Sequence, residues 1–340
     1  MTAALAQQDH RLTDVDASYR KKQWLEARRK VITGTDLAEL FGVGRHGPMK
    51  VWLDKTGRAP LESIDNDAMR FGRRFERPIL EEYADRQSTP LTFADPFAVV
   101  TNEGMCPRLG VTLDARRCDN GWPVDAKNIG FRKPGEWGED GSDIVPLNYA
   151  LQMTAQRMVL GADMGHLAVL FNRYEFCVYP VARDPDVEER VIERIMTFWE
   201  KNVQADTPPT IDGTESYSRY IISKYATQRS KAFLPSTPAL QTLAGNLHAT
   251  VGQIDELEAT ADAMRNTMKE VIGEQGGIEG PNWRATWTQA KESTKVDWEA
   301  VARNVAQGIG DEGKAVLDRQ VQAHTTTKPG SRRFTFNWKD

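Results

Sequence analysis

The chain has 340 residues, 40% hydrophobic and 27% charged, and a formal net charge of −4. That length admits one large domain with a substantial extension, and that composition excludes a disordered, fibrous or membrane-spanning protein. Three scattered cysteines, Cys106, Cys118 and Cys177, argue against a disulfide framework and against a cysteine-held zinc or iron–sulfur site.

The first ten residues lack a basic region followed by an apolar one, and no apolar run reaches the length of a membrane span. The expectation is a cytoplasmic protein. Overall acidity does not advertise a nucleic-acid binder, but binding depends on the charges at the contact surface. Residues 11–30 carry seven basic and three acidic side chains. Arg70, Arg73, Arg74 and Arg77, then Arg116 and Arg117, then Arg132 and Lys133 follow before residue 135. Each cluster alone reads as a solvated face; together they suit a phosphate-lined groove.

In chain order, residues 18–29 read as a helix with Trp24 and Leu25 on its apolar side. A turn over residues 31–36 feeds a short helix, with Thr33, Thr35 or Asp36 available as its N-cap. A hydroxyl there, beside an arginine, suits phosphate, although a plain cap is the commoner role. Pro48 opens the next helix, which stops at Gly57. Residues 66–86 form a longer helix whose Phe71, Phe75, Ile79 and Tyr83 are spaced for a buried stripe, with Pro78 marking a kink or a second start. Glu76 lies beside that stripe. It is equally a third acidic group at a cleft or a surface partner for Arg73, Arg74 and Arg77.

Residues 97–100 and 108–127 are β-rich. Two runs, ending near Asp114 and at Lys127, are joined by a tight turn at Asp119, Asn120 and Gly121, a strong hairpin signal. Alternation along a strand projects Asp125 and Lys127 to one face and Ala126 to the other. With Asp114, three charged groups then converge. Two carboxylates offer hard oxygen ligands to a divalent cation, and the ammonium can orient an attacking water. An isolated Asp-x-Lys is more often a solvated strand face with an ion pair; the upstream aspartate and the hairpin reverse that judgement.

A polar loop at 128–145, holding Arg132, Lys133 and Trp137, leads to a helix from Pro146 to Gly161. Gln152 and Gln156, four residues apart, share a face of it. Strands at 167–171 and 175–181 and an amphipathic helix at 184–203 end before Pro208 and Pro209. This order indicates a mixed α/β core. Residues 1–210 are expected as one domain and 211–340 as an extension. The extension reads as a helical hairpin or short coiled coil at 237–274, a strand at 283–290, helices at 297–306 and 311–323, and a strand at 332–338.

Taken together, the segments at 32–36, 71–76, 113–114, 125–127 and 149–152 resemble, in order, the motifs of the YqaJ-like viral recombinase family. These are relatives of the phage lambda exonuclease in the PD-(D/E)XK nuclease superfamily. Residues 287–291 and 296–298 also resemble extensions of some phage members. The resemblance implies a PD-(D/E)XK core, with Asp114, Asp125 and Glu76 as metal ligands, Lys127 as the catalytic lysine and Gln152 completing the site. It assigns the 5′-phosphate to Arg28 and Thr35, with Arg132 or Lys133 assisting. Asp125 stands where close relatives carry Glu, and Thr35 where Ser is usual. The implied activity is a Mg²⁺-dependent (Mn²⁺ as substitute) two-ion 5′→3′ exonuclease on double-stranded DNA ends. It would leave 3′ overhangs for a single-strand annealing partner and act as a ring-shaped homotrimer. Its rivals are an endonuclease of the same superfamily and an inactive DNA-binding module.

Overall fold

The computed structural model describes residues 18–61, 66–130, 132, 135–172, 174–281, 283–290 and 296–325. Two compact units partition the chain, Met1–Lys224 and Tyr225–Asp340.

The first unit opens with α1 (residues 18–29). Helix α2 (Gly34–Leu40) starts at a capping box: the Thr33 hydroxyl accepts from the Asp36 amide, and the Asp36 carboxylate accepts from the Thr33 amide. Helix α3 (Gly47–Lys55) has proline in its first turn, as expected. Helix α4 (Asp67–Arg86) is capped by Asn66 and continues through Pro78 without breaking.

The strands are β1 (Leu91–Phe93), β2 (Val100–Asn102), β3 (Cys106–Val111), β4 (Ala115–Arg117), β5 (Pro123–Ile129), β6 (Met164–Phe171) and β7 (Glu175–Ala182). Five of them form a mixed sheet in the order β1-β4-β5-β6-β7. Pairing is antiparallel except between β5 and β6, which run parallel because α5 (Leu147–Leu160) carries the chain between them. β2 and β3 form a separate two-stranded sheet. Helix α6 (Pro185–Phe198) runs into a π-helical turn at Trp199–Gln204, and α7 (Glu215–Lys224) packs on α3, with Tyr220 edge-on to Trp52. The expected α/β class, a central mixed sheet flanked by helices, is what the structure has.

Burial explains the layers. Ile79, Leu80 and Tyr83 of α4 cover one face of the sheet over Ala115, Val124 and Ala168. Met153 of α5 and the loop residue Trp137 cover the other over Leu167, Val169 and Phe171. A third cluster joins α2, α3, α5 and α6 around Ile32, Leu109, Trp52 and Ile195. Phe71 and Phe75 depart from the expected stripe: they remain 50% and 40% exposed. They sit one and two turns before Ile79, upstream of the stretch of α4 that packs on the sheet.

The first β-run also differs from its reading. It divides at Leu113 and Asp114, so that β3 belongs to the small sheet and β4 to the large one. The hairpin turn between β4 and β5 is present, with Gly121 at φ 75°. β1, three residues long, lies outside the strands expected from sequence.

In the second unit, the segment expected as a helical hairpin or short coiled coil forms one uninterrupted helix, α8 (Pro238–Ile272), capped by the Thr237 hydroxyl. Gly245 and Gly252 are absorbed within it, and it ends at Gly273. A short hairpin, β8 (Gly277–Glu279) with β9 (Arg284–Thr286), stands where a single strand was expected. Helices α9 (Trp298–Ile309) and α10 (Asp311–His324) pair across Gly310. The strand expected at 332–338 lies outside the described residues. Among the described residues no helix is long and apolar enough to cross a membrane.

Candidate active site

β5 places the central pair by simple alternation. Val124 and Ala126 face α4, while Asp125 and Lys127 turn toward α5. Asp125 is 1% exposed. Its Oδ1 accepts from Gln152 Nε2 at 3.0 Å and from Gln156 Nε2 at 2.9 Å. Its Oδ2 has no hydrogen bond of ordinary geometry, and the Lys127 ammonium lies against it as an ion pair. Lys127 also sits 5.6 Å from the Tyr149 ring centre. Tyr149 is in turn packed on Trp137.

Asp114 reaches the same place from the break between β3 and β4. One carboxylate oxygen, Oδ2, accepts from the Ala126 amide at 2.9 Å, which ties it to the strand carrying Asp125 and Lys127. Glu76 enters from α4. It lies within the electrostatic field of Asp125, Lys127 and Arg73.

The titration behaviour follows from this crowding. Burial, then the neighbouring Asp125 charge, then Glu76, push the Asp114 carboxyl well above the usual carboxylate range, against the opposing pull of Lys127. Burial and Asp125 push Glu76 up as well. Burial pulls Lys127 down, but Asp125 and Asp114 together outweigh it, so its ammonium is held above the ordinary lysine range. Three carboxylates are thus gathered around one cation, a charge excess that destabilises the ionised acids.

Among the described residues no group of three His, Cys, Asp or Glu side chains is arranged to hold a metal ion as it stands. The donor chemistry nevertheless fits a hard divalent cation: two carboxyls, Asp114 and Glu76, with raised pKa, and a buried Asp125 oxygen whose contact is the Lys127 ammonium alone among the described residues.

The N-terminal candidates form a second group. Ile32 pairs with β3: its amide donates to the Arg108 carbonyl at 2.6 Å, and its carbonyl accepts from Gly110. Gly34 then passes against α5, where a Cβ would lie 3.1 Å from Gln152 Cγ and 3.3 Å from its Cα. The next residue, Thr35, is exposed, and its hydroxyl meets Arg28 Nη2 at 3.4 Å and the Thr33 hydroxyl at 3.1 Å. Lys55 anchors the turn from behind, with its ammonium on Asp36 at 2.7 Å and on the Arg28 carbonyl at 2.9 Å. Burial raises the Asp36 carboxyl, yet Lys55 and Lys50 more than offset it and leave it well below the usual range.

The structure thus brings Asp114, Asp125, Lys127, Glu76 and Gln152 together, and separately pairs Arg28 with Thr35. Arg132 is engaged elsewhere: it pairs with Glu175, donates to the Gly138 carbonyl and lies over Phe171. Lys133 lies outside the described residues. Gln156 was not among the expected site residues, although it shares Asp125 with Gln152; the four-residue glutamine spacing on α5 was its signal.

Fold and site define a mixed α/β domain with a buried carboxylate–lysine centre at the parallel seam of its sheet. Residues 23–163, which contain every one of these candidate side chains, match the family model described as the YqaJ-like viral recombinase domain. The YqaJ protein of Bacillus subtilis (strain 168) is 23% identical over 271 residues, covering 78% of this chain and 83% of that protein. Among solved structures, an alkaline exonuclease (LHK-Exo) from Laribacter hongkongensis aligns with a TM-score of 0.41 at 14% identity, over 60% of this chain and 99% of that one. The same exonuclease in complex with dAMP gives 0.42 at 14% identity, over 54% and 93%.

Proposed function

We propose that this protein is a metal-dependent exonuclease that degrades the 5′-ended strand of linear double-stranded DNA within phage-type recombination. The observation that carries the reading is the crowding of Asp114, Asp125 and Glu76 around Lys127 inside a YqaJ-like viral recombinase domain. Those three carboxylates are the residues that would hold Mg²⁺, with Mn²⁺ as a substitute and two ions as the expected number. A bound divalent ion would supply charge neutralisation at the scissile phosphate and acidify an attacking water.

The chain's own groups do the rest. Gln152 and Gln156 fix the Asp125 carboxylate by two hydrogen bonds donated to Oδ1 and leave Oδ2 to the Lys127 ammonium. Lys127, ionised throughout the neutral range, orients water and offsets the negative charge that grows on the phosphate oxygens. Arg28 and Thr35 would take the terminal 5′-phosphate through a guanidinium and a hydroxyl. Arg132 is held by Glu175, so Arg28 is the principal cation of that contact in this reading. Cleavage from the 5′ end exposes a 3′ single strand, the substrate of an annealing protein.

The test is digestion of linear duplex DNA labelled at either the 5′ or the 3′ end, with Mg²⁺ or with EDTA, beside a covalently closed circle. Early release of 5′ label that requires Mg²⁺ and spares the circle is expected. Cleavage of the circle would make the enzyme an endonuclease, and binding without cleavage would make it a DNA-binding module. Lys127→Ala should slow hydrolysis on the order of 10³-fold, since one member of a catalytic unit is typically worth several kcal/mol in the transition state.

A further inference from the structure

We propose that an open cleft of about 400 Å³, lined by Glu26, Arg29, Lys30, Lys55, Arg108 and Trp199, binds a phosphate group at a site separate from the carboxylate centre. The cleft lies where the end of α1, the last turn of α3, β3 and the π-helical turn meet. Four cations line it against one carboxylate.

Their partners decide which charges are available. Lys55 is consumed by Asp36, by Asp54 at 3.2 Å and by the Arg28 carbonyl, and its side chain is only 1% exposed. Arg29 donates to the Ala59 carbonyl and stands 3.6 Å from Asp54, but its buried Nε makes no hydrogen bond. Arg108 and Lys30 differ from both. Among the described residues neither has an ion pair with a carboxylate.

Arg108 instead rests on the buried Trp199, its guanidinium carbon 4.6 Å from the ring centre. An aromatic face holds a guanidinium by its flat side and leaves the N–H edge free, the edge that matches phosphate oxygens. Among the described residues, an oriented arginine, an ammonium without an ion pair beside it and a buried Arg29 Nε that makes no hydrogen bond, its nearest carboxylate oxygen being Asp54 Oδ1 at 3.6 Å, form an anion receptor. The volume falls within the range of about 300–1,000 Å³ usual for small-ligand sites, enough for one phosphate with its sugar and too little for a duplex. The phosphate is either a backbone group of a bound DNA strand or that of a free mononucleotide. Lys55 joins the cleft to the Arg28 carbonyl, so its occupant and the proposed end-binding pair bear on the same turn of backbone.

The inference rests on the reading above only in taking DNA as the polymer. The test is binding of fluorescein-labelled duplex DNA carrying a single-stranded tail to the full chain in EDTA, across a series of salt concentrations. It uses wild type, Arg108→Met and Lys30→Met. Methionine keeps an apolar stem over Trp199, and an unchanged thermal midpoint with rescue by Arg108→Lys controls for folding. If the cleft holds a backbone phosphate, each variant flattens the slope of log affinity against log salt by about 0.7–0.9, the value of one phosphate contact. If it holds a free mononucleotide, the slope stays and calorimetric binding of a deoxynucleoside monophosphate is lost in both variants. Wild-type slope together with wild-type nucleotide binding in both variants overturns the proposal. Neither readout involves cleavage, so failure of the cleft and failure of the exonuclease assay are separate results.

Discussion

The carboxylate centre makes an opposite-sign prediction for two neighbouring substitutions. Asp114 has its carboxyl raised by burial, by Asp125 and by Glu76, so the folded state binds that proton more tightly than the unfolded chain does. Stability is therefore lost as pH rises from the unfolded value, about 4, through the raised folded value, and the loss stays in full above it. Asp114→Asn removes the charge and keeps an oxygen for the Ala126 amide. The gain at pH 8 should be about 1.4 kcal/mol for every unit by which Asp114 is raised. For a folded unit of this size that is about 3–6 °C in Tm per unit. Lys127→Met acts the other way, since it strips the counter-charge from the buried Asp125. Breaking a buried pair costs about 3–5 kcal/mol, or about 6–20 °C. Thermal melts of both variants in EDTA at pH 8 and pH 4 provide the assay. Asp114→Asn should melt above wild type at pH 8, with the difference closing at pH 4, and Lys127→Met should melt below it at pH 8. If Asp114→Asn is destabilised at pH 8 to the extent of Lys127→Met, the cluster is a stabilising ion-pair network and the argument for a cation site fails.

Three further outcomes follow from the same geometry. The rate of Mg²⁺-dependent cleavage should climb as pH rises through the raised Asp114 and Glu76 pKa values, because only ionised carboxylates accept the ion; a pH–rate profile flat across the acid and neutral range contradicts this. Wild type should prefer 5′-phosphorylated over 5′-hydroxyl ends, and Arg28→Ala should lose that preference, since the Arg28–Thr35 pair is the exposed cation–hydroxyl contact beside α5; equal rates on both ends in wild type would leave it an ordinary cap and hydrogen bond. Light scattering should give about three chain masses if, as the family resemblance implies, a ring gathers the basic patches of this acidic chain into one channel, and a monomer at assay concentration would sink that arrangement.

The parts legible in the sequence are those whose signal is local. Period-two alternation placed Asp125 and Lys127 on one face, and the structure puts both on the α5 side. The α4 helix and its Ile79–Tyr83 contact follow from spacing alone, yet the same spacing gave Phe71 and Phe75 a burial they lack. Periodicity reports a face and says nothing of how far the sheet beneath it extends. β1 was missed because three residues carry too little pattern, and its place in the sheet comes from pairing with β4 across 24 residues of chain. The 35-residue α8 runs straight through Gly245 and Gly252 where a helical hairpin or short coiled coil is expected; a lone glycine costs a helix only about 1 kcal/mol, which a long run of good helix formers absorbs.

The contacts that were not legible are the ones that assign cations to their partners. Nothing local says that Arg132 goes to Glu175, 43 residues away, or that Lys55 goes to Asp36. In sequence Arg132 is simply a member of a basic cluster, and Lys55 carries no signal of its own. Once the fold commits them to carboxylates, the cations left without such a partner acquire meaning by subtraction. Among the described residues, Arg28 keeps only the Thr35 hydroxyl and the Trp24 face, and Arg108 keeps only Trp199. In a chain whose formal charge is −4, these are the cations on which the proposed phosphate contacts rest. They belong to α1 and β3; the Ile32–Leu109 bridge ties the segment that follows α1 to β3, and β3 leads into Asp114. On the proposed reading, a phosphate at Arg108 would be positioned relative to Asp114 by the backbone of β3, and one at Arg28 by the hydrogen-bonded bridge from Ile32 to that strand.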